Sequence, residues 1–199
     1  MTRTILTLAA AAALAGCAAS GARNGTDAIR YHLGQPIAPG TVAVEAMPGG
    51  TPTVGPEFGI YSQAVGAELA RLGFTPARGD ATTAQYVAAV QFNRVNRGQI
   101  RTPPKFSIGI GGGSFGRGGG LGGGVSTGIG GKTRDVYATE LWVQLRRRSD
   151  GTTVWEGRAD RGSLVGGRDG EPPMETAAKL AAALFRGFPG ESGVTISAP

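Results

Sequence analysis

Thr139-Glu140-Leu141-Trp142-Val143-Gln144-Leu145-Arg146-Arg147-Arg148, then Ser149-Asp150-Gly151, then Thr152-Thr153-Val154-Trp155-Glu156-Gly157-Arg158-Ala159, reads as a β-hairpin. Leu141, Val143 and Leu145 alternate with Trp142, Gln144 and Arg146, the period-two pattern of a strand with one buried face. The register follows from that face. A two-residue loop would set Leu145 opposite Glu156 and Leu141 opposite Asp160. A three-residue loop with Gly151 left-handed pairs Leu145 with Trp155, Val143 with Gly157 and Leu141 with Ala159. Only the second keeps the apolar face whole, because a slip of one residue turns every side chain over. It also places Trp142 opposite Arg158 and Gln144 opposite Glu156 on the outer face.

Upstream, Gln85 to Phe92 reads as a buried strand and Thr41 to Ala46 as a short β-branched one, stopped by Pro48-Gly49-Gly50. Between them Phe58, Tyr61, Val65, Leu69 and Leu72 form an apolar stripe at helical spacing, with Pro56 at the start and Gly73 as C-cap. Close packing on a sheet would account for Gly66 within that helix. A second helix starts near Met174, after Pro172-Pro173. Its buried side is Ala177, Ala178, Ala181, Leu184, Phe185 and Phe188, and Gly187 and Pro189 end it. Asn93 to Pro104 reads as a polar loop. Residues 109–131 hold 14 glycines in 23 positions, a flexible loop whose shoulders, Lys105 to Ile110 and Val125 to Ile129, extend the neighbouring strands. The order predicts an α+β two-layer sandwich, with a mixed or antiparallel sheet of about four to five strands, two helices on one face and a long Gly-rich hairpin loop.

The N-terminus carries a different kind of information. Arg3 precedes a run from Ile5 to Ala13 that is apolar except for Thr7, too short to span a bilayer, which needs about 20 apolar residues. Leu14-Ala15-Gly16-Cys17 then resembles the bacterial lipobox, which directs a lipid onto the thiol and cleavage between Gly16 and Cys17. Cys17 is the only cysteine, so the exported chain would carry no disulfide, and lipidation gives that odd thiol its role. These signals divide the chain into a signal peptide (1–16), a lipidated N-terminus and tether (17–40), one α+β domain (41–190) and a flexible tail (191–199). Ala18, where the sorting rule of enteric lipoproteins would read Asp, implies by resemblance the outer membrane, facing the periplasm. The formal charge is +6 with Arg3 included. In that compartment a basic surface meets lipid head groups, lipopolysaccharide and wall polymers, and nucleic acid is not an expected partner.

Helix-terminal Arg71-Leu72-Gly73-Phe74, the glycine tract, Leu141 to Leu145, Val154 to Ala159 and Phe185-Arg186-Gly187-Phe188-Pro189 together resemble the Gram-negative lipoproteins grouped as domain of unknown function 4136. The resemblance spans roughly residues 57–190. It implies an exported envelope lipoprotein and carries no assigned activity.

Catalytic signals are weak. Gly131-Lys132-Thr133 ends like a phosphate loop, but Ser126 stands where the first glycine is required and a strand follows where a helix should. Gly111, Gly113 and Gly116 fit a dinucleotide fingerprint only as any such glycine tract would. The sole histidine, His32, lies in the tether and reads as solvated, so neither a metal centre nor a Ser–His or Cys–His pair has a starting point, and no metal or cofactor is expected. Glu140, Glu156 and Asp160 are the carboxyls on which a hydrolase could be built. The leading expectation is a non-catalytic outer-membrane lipoprotein with a binding or structural accessory role. Its candidate surface is Trp142, Gln144, Glu156 and Arg158, and its partner an envelope protein, glycan or lipid. The alternatives are an oligomeric assembly or pore component using the glycine hairpin, and the carboxylate hydrolase.

Overall fold

A computed structural model describes residues 25–49, 55–102, 106–110, 125–129, 132–165 and 170–198. Its strands and helices, in chain order, are β1 (Thr26–His32), β2 (Thr41–Ala46), α1 (Pro56–Arg71), β3 (Thr75–Pro76), β4 (Tyr86–Thr102), β5 (Phe106–Ile110), β6 (Val125–Ile129), β7 (Lys132–Arg147), β8 (Thr153–Val165), α2 (Pro173–Phe185) and β9 (Thr195–Ala198). Seven strands form one sheet in the order β3-β2-β4-β7-β8-β1-β9, and β5 pairs with β6 in a ladder of their own. The sheet is mixed: β2 runs parallel to β3 and β4, and the other neighbours are antiparallel. Gly16, Cys17 and the central glycine tract, residues 111–124, lie outside the described residues.

The α+β class stands, but the sheet has seven strands where four to five were expected. Two of the additional strands come from segments read as tether and tail. Residues 26–32 form β1, paired along its whole length with β8, from Thr26 opposite Arg161 to His32 opposite Trp155. Thr195–Ala198 pairs on the other side of β1, with Ile196 and Ala198 packed against the core. His32 is therefore no solvated linker residue. Its Nδ1 accepts from the Gly34 N–H at 3.0 Å, which leaves Nε2 as the donor to the Gly190 carbonyl at 3.1 Å. A two-residue strand, β3, completes the opposite edge.

The largest departure is the segment read as a polar loop. Asn93 to Thr102 continue β4 and pair with Lys132 to Glu140 of β7, so the two strands, with β8 alongside as far as Val165 opposite Asp135, form an arm running past the ends of the helices. Residues 95–100 of β4 are all exposed, so the burial alternation that marks a strand in sequence fades there. At Asn96–Gly98 the ladder shifts by one residue. Gly98 adopts φ +108°, its N–H bonds Asn96 Oδ1 at 2.7 Å, and Arg97 is the extra residue of a β-bulge. The glycine-tract shoulders pair with each other, Phe106 opposite Ile129 through Ile110 opposite Val125.

The hairpin register is as the alternation requires, with Leu145 opposite Trp155, Val143 opposite Gly157 and Leu141 opposite Ala159. The loop is one residue longer than expected: the Arg147 N–H bonds the Thr152 carbonyl, and a bulge between Leu145 and Arg146 restores the register. Gly151 holds φ +71° as anticipated.

α1 begins with Pro56 at its first turn and Glu57 near the positive end of its dipole. It ends in a Schellman motif: Phe74 N–H bonds the Leu69 carbonyl, Gly73 N–H bonds the Ala70 carbonyl, and Gly73 sits at φ +91°. Tyr61, Val65 and Leu69 are its buried stripe. Gly66 is not explained by close packing, because an added Cβ would meet Val44 Cγ2 at an ordinary 3.8 Å. On α2, Leu180 is buried and Ala178 exposed, the reverse of the expected placing for Ala178. The stripe follows Ala177, Leu180, Ala181 and Leu184. Both helices lie on one face of the sheet, where Trp155 stacks on Phe185 (centroids 5.1 Å apart) and Tyr61 on Phe92 (4.3 Å). Gly157 is where α2 comes closest: a Cβ there would lie 2.6 Å from Trp155 Cη2 and 2.8 Å from Leu184 Cδ1.

Candidate functional site

The outer face of the sheet carries the candidate surface. Alternation along β7 and β8 turns Trp142, Gln144, Glu156 and Arg158 away from the helices, and antiparallel pairing sets Trp142 opposite Arg158 and Gln144 opposite Glu156. All four interact. Trp142 Nε1 donates to Glu156 Oε1 at 2.9 Å, and Gln144 Nε2 donates to Oε2 at 3.1 Å. Arg158 Nε lies 3.6 Å from Glu156 Oε1, and its guanidinium carbon sits 4.0 Å above the Trp142 ring. One carboxylate thus takes hydrogen bonds on both oxygens, and one indole face is covered by a cation. The expected cross-strand pairing of Trp142 with Arg158 is present, with a diagonal tie to Glu156.

β1 adds residues that sequence reading left in the tether. Ile29 lies beside Arg158, Tyr31 beside Glu156 and Asp27 beside Asp160. The available signal was the alternation of Ile29 and Tyr31. Arg30 and His32 at the intervening positions hid it, because Arg30 is a buried cation that donates from Nη1 to the Arg186 carbonyl at 2.5 Å.

One row nearer the arm, Glu140, Asp160 and Asp27 stand side by side across three strands, and Ser197 on β9 donates to Asp27 Oδ1. Burial pushes the Asp160 carboxyl above the usual carboxylate range, and the charges of Asp27 and Glu140 push it the same way. A depression of about 390 Å³ opens there, bordered by Ile29, Val95, Glu140, Arg158 and Asp160. Glu156 is not at that depression, so the three hydrolase candidates are split between two places. Among the described residues no group of three or more His, Cys, Asp or Glu is placed to hold a metal ion. No described helix is long and apolar enough to cross a membrane.

The inner side holds a second polar cluster, which sequence reading missed. Arg161, 4 % exposed, makes a two-pronged pair with Glu171: Nε to Oε1 at 2.9 Å and Nη2 to Oε2 at 2.9 Å. Its Nη1 donates to Thr26 Oγ1 at 2.9 Å. Glu171 also accepts from Thr176 Oγ1 at 2.9 Å and Lys179 Nζ at 3.0 Å. Burial alone would raise the Glu171 carboxyl, but the bonds from Arg161, Lys179 and Thr176 outweigh it and hold it at about 2. This cluster joins β1, β8 and the start of α2. Its donors are spent on Glu171 and Thr26, with Lys179 also paired to Glu175 at 2.6 Å, so its role is structural.

Comparison with solved structures gives distant likenesses. A PelC dodecamer from Paraburkholderia phytofirmans is 17 % identical, over 80 % of this chain and 94 % of that one, with a TM-score of 0.43. A PDZ domain protein from Parabacteroides distasonis is 11 % identical, over 87 % of this chain and 39 % of that one, with a TM-score of 0.46. A search of the curated proteins gave no match. The family model described as domain of unknown function (DUF4136) matches residues 52–190, over all of the two helices and the strands from β3 to β8, and the chain belongs to that family.

Proposed function

We propose that this protein is a non-catalytic accessory lipoprotein of the bacterial envelope, tethered through a lipid on Cys17 to the periplasmic face of the outer membrane. The observation that carries the non-catalytic reading is the state of Glu156. It is the carboxylate bonded to the half-buried Trp142, and both its oxygens are taken by Trp142 and Gln144 with Arg158 alongside. Such a group holds a surface in shape and has little capacity left to activate water. The anchor is supported by Leu14-Ala15-Gly16-Cys17 and by its distance of nine residues from Thr26, where β1 begins.

Replacing Cys17 tests the anchor. The Cys17→Ser chain is expected to keep its signal peptide, to lose the acyl mass and to leave the outer-membrane fraction. Normal fractionation together with an unchanged intact mass would refute it. The hydrolase reading keeps one favourable observation, the raised Asp160 carboxyl facing Glu140 across the depression. Release of reducing ends from envelope glycans by the purified protein, abolished in Asp160→Asn, would establish it over the accessory role.

A further inference from the structure

We propose that the β4–β7 arm is a second membrane contact, which lays its basic outer end on the anionic lipid surface to which Cys17 is anchored. The inference rests on the lipid-anchor reading and adds a specific surface and ligand class to it. Three observations carry it. The first is direction. Thr26, Arg161, Thr139 and Arg94 lie in one row across β1, β8, β7 and β4, so the chain leading back to Cys17 leaves the sheet at the end from which the arm projects. Eight residues lie between Cys17 and Thr26, and the nine steps reach at most about 30 Å when extended. From the same row the arm runs eight further residues to Thr102, about 26 Å at strand spacing. A bilayer holding the Cys17 lipid is therefore within the arm's reach.

The second observation is charge. Within the arm's two strands, β4 carries Arg97 and Arg101 and β7 carries Lys132 and Arg134, against Asp135. The excess of cations along these two strands lies on the side from which the chain leads back to Cys17. The third is exposed apolar surface on that arm. Val95 and Ile100 are 43 % and 45 % exposed, and Arg97, the extra residue of the bulge, is exposed as well. Cations beside exposed aliphatic side chains suit an interface with anionic phospholipid, where each cation near the surface adds about 1 kcal/mol.

The test uses the full acylated chain carrying Ile100→Cys, labelled with an environment-sensitive fluorophore and reconstituted into vesicles. A Ser149→Cys chain, labelled at the far turn, is the reference. In phosphatidylethanolamine vesicles containing phosphatidylglycerol the Ile100 probe should shift to the blue while the Ser149 probe does not. High salt should reverse the shift. Arg97→Gln with Arg101→Gln should weaken arm partitioning by about thirtyfold, or about fivefold for each cation. Identical responses from the two probes would overturn the proposal. So would an equal Ile100 shift in vesicles without anionic lipid, or a shift already present in detergent at twice the monomer mass, since the arm would then be covered by a second copy. Intact mass separates the two ideas: absence of acyl mass refutes the anchor, while adding anionic vesicles to that same unacylated chain still reads the arm directly.

Discussion

Protonating or removing the Glu171 carboxylate should open the seam between β1, β8 and α2. The side chain is 14 % exposed and faces Arg161, Lys179 and Thr176. Its carboxyl falls from 4.5 to about 2 on folding, which corresponds to about 3 kcal/mol of stability at neutral pH. Because the folded value is the lower one, that contribution is complete above pH 4.5 and is lost as pH falls from there toward about 2. Glu171→Gln removes it at every pH and leaves the Arg161 guanidinium buried without its counter-charge, a loss of about 3–5 kcal/mol for a broken buried pair. Urea unfolding followed by tryptophan fluorescence, at steps from pH 7 to pH 2, separates the two chains. The wild type should be more stable by about 3 kcal/mol or more at pH 7, and the difference should shrink through the acid range. A Glu171→Gln chain within about 1 kcal/mol of wild type at pH 7, with a parallel acid limb, would refute the reasoning.

Two glycines predict opposite outcomes. Gly157→Ala drives a methyl into Trp155 and Leu184, so a loss of about 1–3 kcal/mol is expected in the same urea assay, with quenched or shifted Trp155 emission. Gly59→Ala meets nothing within 4 Å and sits inside α1, so it should raise stability by up to about 1 kcal/mol, and a lower unfolding midpoint would contradict the open space seen there.

What the sequence disclosed follows from where the helices lie. Under them β7 has one apolar face and one polar face, and the pairing of Leu145 with Trp155 could be read from that contrast alone. The same alternation put Trp142, Gln144, Glu156 and Arg158 on one face. It could not specify the diagonal bond from Trp142 Nε1 to Glu156, which depends on side-chain reach. Past the helices the contrast vanishes, and the arm from Asn93 to Thr102 looks like a polar loop although it is hydrogen-bonded strand. Loop length failed for another reason. A bulge between Leu145 and Arg146 and a longer turn give the same register as a shorter turn without a bulge, so register does not fix the turn.

β1 was hidden because its inward positions are not the residues a core usually takes. Thr26, Ala28 and Arg30 face α2, two of them polar. Each polar one has a specific partner there, Thr26 the Arg161 guanidinium and Arg30 the Arg186 carbonyl. A buried cation is tolerated when such acceptors are in place, and nothing in residues 26–32 alone reveals partners more than 130 positions away. The consequence reaches the anchor. The chain from Cys17 enters an interior strand, bonded to β8 on one side and β9 on the other, rather than a frayed terminus. A lipid on Cys17, as proposed above, would therefore act on the sheet at the row of Thr26, Arg161, Thr139 and Arg94, from which the arm starts.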